Sequence, residues 1–275
     1  MTESTSTQNA LNKSHSVIPA LLTDKVAIVT GASRGLGAQI AQQMAAAGAI
    51  VCVNYLNSKE AAEAVVADII ATGGQAFAYQ ADVTDLEQVQ AMAAEVITRH
   101  GRIDILVNNA LPSYQFNPSA AYTSIETVRW SHFSQQMDGI VKGAVNTVQA
   151  VLPQMKAQQV GKIINRSTNL VYNPVVTYYD YTTAKSALIG LTRNLASELG
   201  QYGIRVNLLA GGLLKTTDAS SLTTEEVFDY IATTTPLRQA TSVADFANSV
   251  LLMASDLSMA ITGQSIAVDG GLTMP

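Results

Sequence analysis

The run Thr30-Gly31-Ala32-Ser33-Arg34-Gly35-Leu36-Gly37 narrows the possible folds more than any other stretch of this chain. It joins Lys25-Val26-Ala27-Ile28-Val29-Thr30, an apolar β-branched run too short for a helix, to residues 38–47, a helix pattern stopped by Gly48. Strand, glycine turn and helix in this order put the glycines where positive φ, close backbone approach and tight helix-to-strand packing are needed. The first N–H groups of the helix then face outward, toward an anion. The stretch therefore predicts a buried parallel strand feeding a crossover helix, and a seat for the diphosphate of a dinucleotide. A tight turn with a purely structural purpose is the plainer alternative.

The same alternation continues along the chain. Strands are expected at 50–54, 75–80, 102–107, 161–165, 205–209 and 264–268, and helices at 58–71, 85–100, 124–158 (bent), from Tyr181 to Gly200, and 243–254, with a short helical patch at 225–231. With no linker and no internal repeat, this is one doubly wound, Rossmann-like α/β domain over residues 24–275. Residues 1–23, rich in Ser, Thr, Asn and Gln at their start, read as a flexible arm rather than a signal peptide. The threonine-rich stretch 213–235 reads as a substrate lid or as a plain surface excursion.

Composition closes off several function classes. The formal charge of −5, with no basic run, argues against a nucleic-acid partner. No stretch approaches the ~20 apolar residues of a membrane span. Cys52 stands alone, which excludes an intrachain disulfide and a thiolate metal cluster and fits a reducing, cytoplasmic setting. At 48% apolar and only 13% charged residues, the chain has surface to bury against sister subunits.

Within Tyr181-Thr182-Thr183-Ala184-Lys185, a spacing of four stacks an ammonium beside a phenol on one helix face. A fixed positive charge favours phenolate, drawing an acid of pKa ~10 toward the range useful for proton transfer. A chance pair on an amphipathic helix is the bland alternative. At the end of the second strand, Asn54-Tyr55-Leu56 offers no carboxylate to hold a free ribose 2′-hydroxyl, and Arg34 in the glycine turn offers a cation to a 2′-phosphate. Both features favour NADP(H) over NAD(H). Asp82 reads equally as an adenine contact or as the cap of the following helix.

The glycine turn, Asn108-Asn109-Ala110, Tyr181 with Lys185, Thr235-Pro236-Leu237-Arg238 and the tail 261–271 together resemble the short-chain dehydrogenase/reductases, with the pattern of 3-oxoacyl-acyl-carrier-protein reductases. The resemblance implies a seven-stranded parallel sheet flanked by helices, a homotetramer or homodimer, and NADP(H)-dependent reduction of a ketone or 3-oxoacyl carbonyl. Tyr181 would be the proton donor, and Lys185 would hold the nicotinamide ribose while lowering the Tyr181 pKa. It places the cofactor against Gly31, Ser33, Arg34, Gly35, Leu36, Gly37, Asn54, Tyr55, Leu56, Asp82, Val83, Asn109, Ala110, Gly212 and Leu214 as well as Tyr181 and Lys185. The pattern departs from the family in two catalytic positions. Thr168 stands where a serine is usual, with Ser167 beside it as the other candidate hydroxyl, and Ile140 stands where a relay asparagine is usual. Those departures keep open a second reading, a cofactor-binding paralogue with weakened chemistry and a regulatory or scaffold role. Tyr114, Phe116, Tyr172 and Tyr178 are candidates for an apolar substrate wall or for ordinary packing. Arg129, Lys142, Lys156, Lys162 and Arg166 are the scattered cations that an acidic carrier protein would need gathered in one place.

Overall fold

The computed structural model describes residues 20–112, 114, 116–117, 119–215, 220 and 223–275. Seven strands, β1 (Val26–Val29), β2 (Ile50–Tyr55), β3 (Gln75–Gln80), β4 (Ile105–Asn108), β5 (Gly161–Thr168), β6 (Ile204–Gly211) and β7 (Ser265–Val268), form one parallel sheet in the order β3-β2-β1-β4-β5-β6-β7. The order reverses between β1 and β4, which opens a crevice at the carboxyl ends of those strands, the place where open α/β sheets take ligands.

Among the described residues there are eight α-helices: α1 (Gly35–Ala46), α2 (Lys59–Ala71), α3 (Leu86–His100), α4 (Trp130–Gln136), α5 (Gly143–Gln158), α6 (Tyr179–Leu199), α7 (Glu225–Thr234) and α8 (Val243–Ala254). The two-residue period of β1 divides the core. Ala27 and Val29 pack in the layer of α1 and α8, while Val26 and Ile28 pack in the layer of α3 and α5. Each fully buried aliphatic side chain contributes roughly 1.5–3 kcal/mol, so this double-sided burial is what holds the strand in register. Leu22, also fully buried, ties the chain ahead of β1 to Ala47 through a 2.8 Å backbone hydrogen bond. The rest of the expected arm, residues 1–19, lies outside the described residues.

Several boundaries differ from the sequence expectation. The fourth strand begins at Ile105 rather than Arg102. Arg102 is turned back onto Asp104, 2.6 Å away, and Asp104 accepts from the Val26 N–H at 2.9 Å. The fifth and sixth strands run on to Thr168 and Gly211, carrying both candidate hydroxyls into the sheet. The long bent helix expected over 124–158 is divided. A 3-10 turn covers Ala121–Thr123, α4 begins at Trp130, and a π-helical turn, Met137–Lys142, separates α4 from α5. Pro112 presses on that turn so closely that a Cβ on Gly139 would lie 1.9 Å from its Cγ.

Candidate active site

The glycine turn is braced from three sides. The Thr30 hydroxyl accepts from the N–H groups of Asn109 and Ala110, both at 3.0 Å, and Asn109 Nδ2 donates to the carbonyls of Thr30 and Gly31. Asn54, expected near the ribose, is buried with its side chain turned inward. Its Oδ1 accepts from Gly31 N at 3.2 Å and its Nδ2 donates to Ala81 O at 3.0 Å. Tyr55 is buried as well, so Leu56 is the exposed residue at that corner. Asp82 caps no helix. It folds onto Thr84, while Asp85 caps α3 by accepting from Glu87 N and Gln88 N.

The turn fits a dinucleotide on structural grounds. Gly35 has φ +54° and nothing within 4 Å of the position a Cβ would take, so the backbone is open to close approach. The first turn of α1 carries no acidic residue and no side-chain cap, leaving its N–H groups for an anion. Ser33 and Arg34 lie at the mouth, Leu36 and Gly37 are buried beneath it, and Ala110 backs Gly31. Across the crevice, Gly212 follows β6 and Leu214 is buried. Val83 packs against the start of α5, where a Cβ on Gly143 would meet it.

Tyr181 and Lys185 lie on the inward face of α6, 2% and 1% exposed. Lys185 Nζ donates to the carbonyl of Arg166 at 2.9 Å and sits 5.9 Å from the Tyr181 ring centre. The two hydroxyls at the end of β5 have different partners. Ser167 Oγ donates to the Lys185 carbonyl, 3.1 Å, whereas the Thr168 hydroxyl accepts from Leu170 N at 3.4 Å and is the one that favours ionisation of the Tyr181 phenol. Ile140 is buried beside Lys185. With Thr30, Asn108 and Gly139 it lines a cavity of about 10 Å³, close to the least space that holds one water.

The electrostatics correct one expectation. Burial raises the Tyr181 phenol above its ordinary value, and the opposing influences are the Arg166 charge and the Thr168 hydroxyl. Lys185 is not among them. Burial first, and the Arg166 charge second, drive its ammonium well below the ordinary lysine value, toward the neutral amine. A lysine depressed in this way destabilises the folded chain at every pH below its unfolded value, because the unfolded state binds the extra proton. Lys185→Met therefore raises the midpoint of thermal unfolding of the protein without added nucleotide. A lowered midpoint would show that the bond to Arg166 O outweighs the burial of the amine.

Around the phenol stand residues the sequence marked only in part. Tyr114 stacks on Tyr181 at 5.1 Å between centroids, Phe116 meets it edge-on at 5.3 Å, and Tyr178 and Tyr122 close the cluster. Tyr172, the fourth aromatic candidate, instead shares a hydrogen bond with Ser265 of β7. Asp180 was not anticipated. It is buried, accepting from the Tyr114 hydroxyl at 3.0 Å and from Tyr181 N at 2.7 Å. Behind the site a buried polar ladder runs from Thr147 through Asn108 and Asn165 to Thr192, tying α5, β4, β5 and α6 together. Asparagine 165, a polar residue inside an apolar strand run, was the available sequence signal for it. The scattered cations do not converge. Lys162 pairs with Asp256 at the amino end of β5, Lys156 with Glu198, and Arg166 lies in the site.

A seven-stranded parallel sheet with a glycine turn at its switch point and a buried Tyr-Lys pair at the carboxyl edge defines a dinucleotide-dependent oxidoreductase architecture. The family model described as enoyl-(acyl carrier protein) reductase matches residues 31–273. The chain belongs to the short-chain dehydrogenase/reductase family. It is 40% identical over 252 residues to a 3-oxoacyl-acyl-carrier-protein reductase of Staphylococcus aureus, covering 91% of this chain and 98% of that protein. It is 36% identical over 256 residues to a 3-oxoacyl-acyl-carrier-protein reductase of Synechocystis sp., covering 92% and 98%. Among solved structures it is similar to a gluconate 5-dehydrogenase from Burkholderia cenocepacia in complex with NADP and tartrate, with a TM-score of 0.83, 29% identity, and coverage of 94% of this chain and 98% of that one. No helix among the described residues is long and apolar enough to cross a membrane.

Proposed function

We propose that the protein is an NADP(H)-dependent reductase that converts a ketone or 3-oxoacyl carbonyl to a secondary alcohol, with Tyr181 as proton donor. The observation that carries this reading is the burial of Tyr181 beside Lys185 on α6, at the carboxyl edge of the sheet near Thr168 and the glycine turn. When bound, the dihydronicotinamide supplies a hydride to the carbonyl carbon. Thr168 and Tyr181 hold the carbonyl oxygen, and Tyr181 passes its phenolic proton to that oxygen as negative charge develops there. Lys185 holds the ribose beside them, and the aromatic wall of Tyr114, Phe116 and Tyr178 keeps water from the reacting carbon. The stretch around α7, with Phe228 buried and Lys215 paired to Glu225 at 2.5 Å, serves as the lid. Leu222 of that stretch lies outside the described residues.

Preference for NADP(H) is supported by the missing carboxylate at the end of β2, by Arg34 at the turn, and by the NADP carried by the Burkholderia structure. The relatives named as 3-oxoacyl-acyl-carrier-protein reductases support the carbonyl class.

A direct test follows NADPH absorbance with a panel of ketones and 3-oxo esters. Thr168→Val lowers kcat/KM by about 10²-fold, the loss expected for one hydrogen-bond donor to a developing oxyanion. Thr168→Ser keeps most of it, and Ser167→Ala keeps catalysis because that hydroxyl serves the α6 backbone. Loss with Ser167→Ala and none with Thr168→Val would transfer the assignment to Ser167.

A further inference from the structure

Arg166 is a cation of the site for which the reaction above has no use. Its carbonyl receives Lys185, but among the described residues its guanidinium has no carboxylate, carbonyl or aromatic partner. Other arginines of the chain are engaged: Arg99 with Glu95, Arg102 with Asp104, and Arg205 with the carbonyls of Met253, Ser255 and Ile261. Arg166 is also half-buried, and an arginine cannot shed its charge to suit a dry setting. An unpaired guanidinium held there calls for an anion in the working complex.

Its place on β5 indicates which anion. Asn165 and Ser167 turn their side chains to α6, bonding Thr192 and the Lys185 carbonyl. By the two-residue period, Ile164, Arg166 and Thr168 share the other face, where Ile164 packs in the layer of α1 and α8. Arg166 therefore neighbours Thr168 on the strand, and its charge is felt at both Tyr181 and Lys185. A planar, five-donor fork in that position suits a carboxylate bound in two-point fashion.

We propose that Arg166 binds a carboxylate of the substrate, so that the reductase acts on oxo acids, carbonyl compounds with a free carboxylate a few atoms from the reacting carbon. This rests on the reductase reading only in identifying the neighbouring Thr168 and Tyr181 as the carbonyl subsite. The alternative anion is the diphosphate of the cofactor itself.

The test is titration calorimetry of the full chain loaded with NADP+, using pyruvate, acetoacetate and levulinate, each against its ethyl ester. At least one acid binds about ten- to hundredfold more tightly than its ester, as expected of a hydrogen-bonded charge pair. Arg166→Leu and Arg166→Gln each abolish that difference, leave the affinity for NADPH within about threefold and unfold at the wild-type temperature, whereas Arg166→Lys keeps part of the difference. Acids and esters binding alike, or no acid binding, overturns the proposal. So does a tenfold or greater loss of NADPH affinity in Arg166→Gln, which assigns the cation to the cofactor diphosphate. Turnover of the same compounds with NADPH separates the two readings. Esters reduced equally by wild type and Arg166→Leu, with no preference for acids, remove the carboxylate site and leave the reductase. Arg166-dependent binding of an acid with no reduction of any compound removes the reductase and leaves the site.

Discussion

Tyr181→Phe reduces kcat by about 10²–10⁴-fold, the range general acid catalysis contributes, while NADPH binding stays close to wild type. The substitution removes one oxygen and leaves the ring stacked between Tyr114 and Phe116, so the fold around it is preserved. Because burial raises the phenol, Tyr181 stays protonated throughout the neutral range. Activity in the reducing direction is thus fully present below the ordinary phenol value of ~10 and is lost only as pH rises through the raised one. Stability follows the same sign: the unfolded phenol ionises first on the alkaline side, so the burial of Tyr181 ceases to be favourable there. Measuring kcat against pH for both proteins, with NADPH affinity by fluorescence titration, checks each part. Unchanged kcat in Tyr181→Phe would remove Tyr181 from the chemistry.

The second large effect is expected at Gly37. A Cβ there would stand 2.3 Å from the Gly31 carbonyl oxygen, 2.6 Å from Asn109 Nδ2 and 2.9 Å from the Ala32 Cα. None of these is a flexible side-chain end, since Asn109 Nδ2 is already fixed by two carbonyls. Gly37→Ala must therefore displace the turn, destabilising the chain by about 1–3 kcal/mol as overpacking does and lowering NADPH affinity more than a hundredfold. Gly35→Ala separates the two effects. Its Cβ meets nothing, leaving a left-handed backbone strain of about 1–2 kcal/mol, but it intrudes on the open side that the diphosphate would approach. Thermal unfolding with and without NADPH distinguishes them: Gly37→Ala starts lower and gains little from the nucleotide, and a wild-type gain would refute the cradle.

Much of this was legible in residues whose meaning is local. The strand Gln75–Gln80 and the helix Val243–Ala254 were read at their observed ends because their signals are contained in the segments themselves, and in the structure Ser242 and Asp245 cap that helix. The glycine turn and the four-residue spacing of Tyr181 and Lys185 are local for the same reason. What the sequence hid depends on distant partners. Asn54 looked like a ribose neighbour and is instead tied to Gly31 and Ala81, 23 and 27 positions away. The direction of the Tyr181 pKa followed its burial under Tyr114 and Phe116, which periodicity does not report. Arg166 was one scattered cation among five until β5 extended to Thr168 and put it beside the hydroxyl pair.

The π turn has a consequence in the phase of the helix. The buried stripe runs from Gln136 before it to Met155 after it, a step of 19 positions, whereas five turns of an α-helix use about 18. The turn at Met137–Lys142 takes up the surplus residue, so the side chain presented to the cavity beside Lys185 is selected by where that surplus is stored. Sliding the turn by one position would rotate Ile140 off the cavity wall by about 100° and bring a neighbour in, with both flanking α segments intact. At this point of the chain the wall of the site is set by helical phase as much as by the identity of residue 140, and Pro112 lies against Gly139 within that turn.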